Sequence, residues 1–370
     1  MVSAVPYSST LGLATAFLLA ASSVATAQRA PTLPTNAKTG STAIAPGAHE
    51  RLSPYLHEVL ARVDDDAFVD VYVTFCDRLT EYHWFPRVQR LALSTRREVV
   101  CAELKNHAAR TQREVLDLVR TAVSDVDPPS IASNWLGNFV QCRAKKHVVQ
   151  KLATLPSVDR VMFDARREDD AVADGARSDS SSAPKRSDTF AASLPIPGDA
   201  AVFTRAFSVW NVGIRGQGIL IANVDGGITS HNDLDARRWT NPGEVPGNGI
   251  DDDQNGYVDD VHGFAFDLGT AQLDDGGGHG TMTAGLLVGD GTCSGIAYGQ
   301  APAAEVMTCR VLSETSHWNA IQYAIAMGAD VQTSSFSYKA SFVPPPDYRM
   351  HRDVATASLA AGLIRCNSSG

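Results

Sequence analysis

The sequence predicts an α/β protein in which a small α+β unit precedes a larger parallel sheet with helices on both faces. Three observations carry this. From Gly216 onward, short apolar runs alternate with helix-length segments, as parallel strands joined by helical crossovers require. Between Phe68 and Phe163 the pattern reads strand, helix, two strands, helix, strand. Between these parts, residues 165–200 are rich in Ser, Asp and Arg and poor in bulky apolar side chains, so they bury too little surface to order themselves.

Taken in order, residues 1–27 read as a secretory signal. Leu11 to Ala21 is apolar, and Ala25-Thr26-Ala27 is a small-x-small cleavage pattern before Gln28, although no Lys or Arg precedes the run. Residues 28–50, rich in Pro, Thr, Ala and Gly, are predicted to be extended. The unit 51–164 follows. Phe68 to Phe75 alternates with period two, as a half-buried strand does. Thr95 to Val123 reads as one or two amphipathic helices, and Asn134 to Ala144 as a hairpin turning near Gly137-Asn138. Lys145 to Leu155 reads as a helix ended by Pro156, and Val158 to Phe163 as a last strand. This βα(ββ)αβ order is that of a small ferredoxin-like unit.

From residue 201 onward the predicted strands are Ile219–Asp225, Glu305–Leu312, Ala329–Ser335 and Leu363–Ser368. The predicted helices are Gly280–Val288, Ser316–Met327 and Tyr348–Ala361, the last two closed by Gly328 and Gly362. A sheet ending just after the last of these strands would lack helices for its apolar faces, so the expectation is a domain incomplete at its C-terminus.

The net charge is −9, which argues against a nucleic-acid binder. The acidity is confined to one half: from Ala191 onward there are 9 Lys/Arg and 19 Asp/Glu, against 23 and 22 before it. Six cysteines without a Cys-x-x-Cys pair suggest neither a disulfide scaffold nor a thiolate metal site. Beyond the signal, no segment reaches membrane-spanning length.

Two stretches carry chemistry. Ile219 to Asp225 is a buried strand ending on a carboxylate, followed by Gly226-Gly227. His279-Gly280-Thr281-Met282-Thr283-Ala284-Gly285 puts a histidine at the start of a small-residue helix. Functional groups in such sheets collect at the carboxyl ends of strands. A carboxylate there fixes a histidine tautomer, and the imidazole then serves as general base and acid. A third stretch, Asn248 to Asp260, has five Asp and a Gly turn. Oxygens at alternate positions, Asp251, Asp253, Asn255, Tyr257 and Asp259, suit a structural Ca²⁺ loop; an EF-hand's closing Glu is replaced by His262. A metallohydrolase built on His231, His262, His279 and Asp225 is a rival reading, but no His-x-x-x-His pair occurs.

The Asp225 and His279 stretches together resemble the subtilisin-like serine proteases. So do Gly295 to Pro302 with the strand after it, and Ala329 to Ser335. The resemblance is strong over about residues 205–370 and looser over 60–164, where it is to the family's propeptide domain. It implies peptide-bond hydrolysis by an Asp-His-Ser triad with Asp225 and His279 as its first two members. It also implies a substrate cleft lined by Ser334, Ser335 and Phe336, and a propeptide that acts as intramolecular inhibitor. Departures are Gly226 for the family's usual Thr or Ser, Met282-Thr283 for His-Val, and Phe336-Ser337 for Leu-Gly. No Gly-Thr-Ser-Met-Ala-like element occurs, so the nucleophile and the oxyanion Asn are expected beyond residue 370. The expected partner is a protein or peptide substrate, in a secreted or extracellular setting, with no nucleic acid and no stable membrane span. The alternative is a degenerate, non-catalytic secreted module with a calcium-binding loop.

Overall fold

The computed structural model describes residues 49–165, 196–335 and 344–368, all within one compact unit, Leu33–Gly370. The signal segment, nearly all of residues 28–50, most of the linker and Phe336 lie outside the described residues.

Ser53 starts the first helix, α1 (Pro54–Arg62): its hydroxyl accepts the Leu56 N–H at 3.3 Å, and Pro54 occupies the first turn, where no donor is needed. Strand β1 (Phe68–Phe75) follows, then helices α2 (Glu81–Val88), α3 (Leu93–Thr111) and α4 (Arg113–Thr121). The break between α3 and α4 falls at Gln112. Its buried amide leaves the helix to donate to Asn134 O at 2.9 Å and Asn138 Oδ1 at 3.1 Å. Strands β2 (Val126–Asn134) and β3 (Phe139–Lys145) form a hairpin through residues 135–138, then come α5 (Lys146–Leu152) and β4 (Val158–Phe163). The sheet order is β2-β3-β1-β4, antiparallel at every pairing.

Period two in β1 serves two cores. Val69, Val71, Val73 and Phe75 face one core with Leu56, Val115 and Val149 of α1, α4 and α5. Tyr72 faces the other, shared with the C-terminal module. Strand β2 departs from the sequence reading, which started the hairpin at Asn134. It contains Pro128-Pro129, lies at a sheet edge and shifts register between Asp127 and Ala132. An edge tolerates the missing N–H groups.

The C-terminal module begins earlier than the sequence boundary at residue 201. β5 (Ile196–Pro197) pairs with the later β8, and α6 (Asp199–Phe203) and α7 (Ala206–Trp210) follow. Next come β6 (Leu220–Asp225), β7 (Gly263–Ala265), α8 (His279–Val288), β8 (Ile296–Ala297) and β9 (Glu305–Arg310). The last elements are α9 (Glu314–Ala326), β10 (Val331–Ser334), α10 (Tyr348–Ala360) and β11 (Ile364–Asn367). The main sheet is parallel throughout, in the order β11-β10-β6-β9-β7. The short strand β7 went unpredicted. Its Gly263 has φ +119°, and a Cβ there would sit 1.9 Å from Thr308 O.

Helices cover both faces. Ile221 and Val306 pack under Ala284 and Val288 of α8, while Ala222, Val224 and Met307 join the core of α9 and α10. Helix α9 is buried at every position from Glu314 to Ile325, because it lies between the two sheets. Trp318 meets Tyr72 and Phe139 of the N-terminal sheet edge-on, each with ring centroids 5.4 Å apart. Polar side chains finish the contact: Asn319 donates to Gln141 and accepts from Asn134, each at 2.8 Å, and Gln322 Oε1 accepts the N–H groups of Trp135 and Leu136. No described helix is long and apolar enough to cross a membrane.

Candidate active site

Strand β6 is buried at all six residues and delivers Asp225 at its carboxyl end, only 1% exposed. Helix α8 delivers His279 at its first residue. Gly278 caps that helix with φ +75°, a left-handed conformation open to glycine at little cost. It has no side chain to cap with, and Asp275 does so instead, accepting the N–H and hydroxyl of Thr281 at 2.7 and 2.9 Å. Gly280 lets α8 approach the sheet, since a Cβ there would lie 2.1 Å from Gly227 O and 3.2 Å from Asp225.

The result is a bonded pair from residues 54 apart in sequence. His279 Nδ1 lies 2.8 Å from Asp225 Oδ1, which also accepts the Gly226 N–H at 2.7 Å. With Asp225 ionised, Nδ1 carries the proton and Nε2 is the free base. The His279 side chain is 39% exposed against 2% for Asp225, so the imidazole is reachable while its partner is not. Among the described residues, Nε2 has no hydrogen-bond partner. Two further residues bear on the pair and were not anticipated in that role: Thr283 Oγ1 lies 3.2 Å from Asp225 Oδ2, and the Asn223 amide reaches Gly280 O at 3.1 Å. Only folding brings them together. A half-open cavity of about 550 Å³ lies alongside α8, lined by His231, Met282, Leu286 and Tyr298 among others.

Of the anticipated cleft residues, Ser334 ends β10 beside Val224 and is buried, its carbonyl accepting the Ser368 N–H at 2.9 Å. Ser335 is exposed at the same end of the sheet, and Phe336 lies outside the described residues.

In the acidic loop, Glu244, Asp251 and Asp253 each place a carboxylate oxygen within 4.8 Å of the others. Glu244 Oε1 accepts the N–H groups of Asp252 and Asp253 at 2.9 and 3.3 Å, while the buried Oε2 has no partner. Glu244 is 8% exposed. A buried carboxylate oxygen left without a donor is costly unless a cation answers it, so these residues fit a hard divalent ion. The anticipated ligand set is changed at two places. Asp259 turns its carboxylate to the N–H groups of Asn248 and Gly249, both at 3.0 Å, away from this cluster. The Tyr257 ring packs against Phe264, Phe266 and Tyr323, so only its backbone carbonyl remains as a donor, and burial pushes its phenol up. Asn255 bonds Asp253 and Asp260 through its amide, bracing the loop. Glu244 escaped the sequence reading because it lies outside the Asp-rich run.

Asp225 and His279 form a carboxylate–imidazole pair at the carboxyl end of a parallel sheet, with the imidazole exposed and the carboxylate sealed, an arrangement that can exchange a proton at Nε2. Residues 216–362 match the subtilase family. The chain is 29% identical over 126 residues to subtilisin-like protease 1 of Plasmodium berghei (strain Anka), covering 32% of this chain and 21% of that protein. It thus spans about a fifth of that curated relative's length. Among solved structures it is similar to fervidolysin from Fervidobacterium pennivorans, described as a keratinolytic enzyme related to subtilisin. There the identity is 14% and the TM-score 0.41, covering 83% of this chain and 42% of that one. It is similar also to the epidermin leader peptide processing serine protease of Staphylococcus aureus, at 14% identity and TM-score 0.42, covering 82% and 60%.

Proposed function

We propose that this chain is the N-terminal part of a secreted subtilisin-like serine endopeptidase precursor. The observation that carries the reading is the 2.8 Å bond between His279 Nδ1 and the sealed Asp225 carboxylate, with the imidazole left exposed. Asp225 fixes the tautomer and stabilises the imidazolium. His279 Nε2 takes the proton of a serine hydroxyl as that oxygen attacks the peptide carbonyl, then returns it to the leaving amine. The serine and the oxyanion donor are supplied from outside residues 1–370. Residues 1–27 direct secretion, residues 51–164 act as propeptide and inhibitor, and processing falls in 165–200. The peptide substrate runs along the carboxyl end of β10, past Ser335.

Calcium belongs to the same proposal as a structural ion. Glu244, Asp251 and Asp253 would hold it, supported by the unpartnered Glu244 oxygen. When bound, it supplies charge neutralisation to the loop and no chemistry to the site.

The test compares two chains. Purified residues 1–370 should hydrolyse no peptide and take up no serine-directed fluorophosphonate. The longer gene product should do both. Labelling of a serine within 1–370 would overturn the assignment of the nucleophile, and an inert longer product would overturn the function.

A further inference from the structure

The Asp225 carboxylate has two oxygens, and the pair with His279 uses one. Oδ1 accepts from His279 Nδ1 and from the Gly226 N–H. Oδ2 is left in a site that is 1% exposed, where a charged oxygen needs a donor. Gly226, next in the chain, has no side chain to offer one. The only hydroxyl bonded to Oδ2 among the described residues is that of Thr283, at 3.2 Å. Thr283 stands four residues after His279 on α8, and so on the same helix face.

A hydroxyl has one proton, and three acceptors compete for this one: Asp225 Oδ2, Gly280 O at 2.9 Å and Asn223 Oδ1 at 3.5 Å. The neighbours decide the contest. Asn223 is 2% exposed, and its amide NH₂ donates to Gly280 O at 3.1 Å and towards Thr283 Oγ1 at 3.4 Å. Its Oδ1 is already served by the Thr333 hydroxyl at 3.3 Å. The carboxylate is the one charged acceptor, and charge-assisted bonds are the stronger kind. Every donor then has a use: the Thr333 hydroxyl to Asn223, the Asn223 amide to Gly280 and Thr283, the Thr283 hydroxyl to Asp225 Oδ2, and His279 Nδ1–H to Asp225 Oδ1.

We propose that Thr283 is a positioning residue for the Asp225–His279 pair, its hydroxyl holding Oδ2 so that Oδ1 stays in line with Nδ1. The chain of bonds ties the pair to β6 and β10, so α8 cannot shift without breaking it. The consequence for catalysis rests on the function proposed above; the geometry of the pair does not.

The experiment therefore reads the pair directly in residues 1–370, by proton NMR of ¹⁵N-histidine-labelled protein. The observable is the low-field Nδ1–H resonance of His279 and its exchange with solvent. Thr283→Val keeps the branched shape and removes the hydroxyl, whereas Thr283→Ser keeps the hydroxyl and removes the methyl. The expected result is exchange about tenfold faster or more in Thr283→Val, as a loosened bond opens more often, and wild-type behaviour in Thr283→Ser. Should Thr283→Val not fold, Thr283→Ala, favourable in a helix, gives the same reading. Wild-type exchange in the valine or alanine variant overturns the proposal. So does loss of protection in the serine variant alone, which would mark a packing role for the methyl. In the longer, nucleophile-bearing chain, Thr283→Val should lower kcat by about tenfold with KM unchanged. If that chain is inert in wild-type form, the function fails while the NMR reading still decides the role of Thr283.

Discussion

At Asp225 the side chain has lost almost all contact with water, so everything it does is done through its bonds. Replacing it with Asn keeps the shape but presents an amide that cannot both accept from Nδ1–H and carry charge. In the longer chain proposed above, we expect Asp225→Asn to fold normally and to lose about 10⁴ in kcat, measured by steady-state hydrolysis of a peptide ester or amide. His279→Ala should be at least as damaging. Turnover near wild type in either variant would remove that residue from the mechanism. This part of the site was legible in the sequence, because a strand ending on Asp and a helix opening on His-Gly are local patterns with a spatial consequence. Thr283 and Asn223 were not legible as partners of the pair. Thr283 is 60 residues from Asn223 and 58 from Asp225, and only the packing of α8 on β6 brings the three together.

Among the elements, α9 and the acidic loop invite contrasting tests. Helix α9 opens with a capping box, Ser313 accepting the Ser316 N–H and Ser316 returning the bond to the Ser313 N–H. It was predicted as Ser316–Met327 and lies at Glu314–Ala326, closed by Gly328 at φ +88°. Its type was legible from the sequence. Its burial on every side was not, since that depends on a second sheet whose hairpin contacts lie 178 to 187 residues earlier in the chain. Trp318→Ala should therefore cost about 3–5 kcal/mol of unfolding free energy, as for a fully buried aromatic, measured by urea titration. A loss below about 1 kcal/mol would mean that the two sheets do not share this ring. For the loop, Ca²⁺ should raise the Tm, and Mg²⁺, with its tighter octahedral shell, should raise it less. Glu244→Gln, or Asp251→Asn with Asp253→Asn, should remove most of the shift. NaCl at equal ionic strength is the control, and an equal effect from it would reduce the loop to a screened acidic turn.

For the molecule as a whole, the joint between the two modules has a pH dependence built into it. Asp164, just after β4, accepts hydrogen bonds from the Ser313 and Thr315 hydroxyls at the start of α9. Burial pushes its carboxyl up to about 7. The Thr315 hydroxyl opposes the rise, and the nearby charges of Glu314 and Asp70 add to it. A carboxyl raised in the folded state takes up a proton on folding between about pH 4 and its folded value. Its contribution to stability is thus full at the acid end, falls as pH rises towards 7, and is flat above. Asp164→Asn should flatten that limb of the stability–pH curve measured by denaturant titration; an unchanged slope would place the proton elsewhere. The same joint has a colloidal consequence. Trp318, Met350 and Val354 lie in a core shared with Tyr72, Trp84 and Phe139 of the first module. A chain begun at Ile196 would present those side chains to water as one broad apolar patch, the kind that drives self-association. Such a shortened chain should scatter light and pellet at concentrations where residues 1–370 stay dispersed, and adding residues 51–165 as a separate polypeptide should clear the suspension.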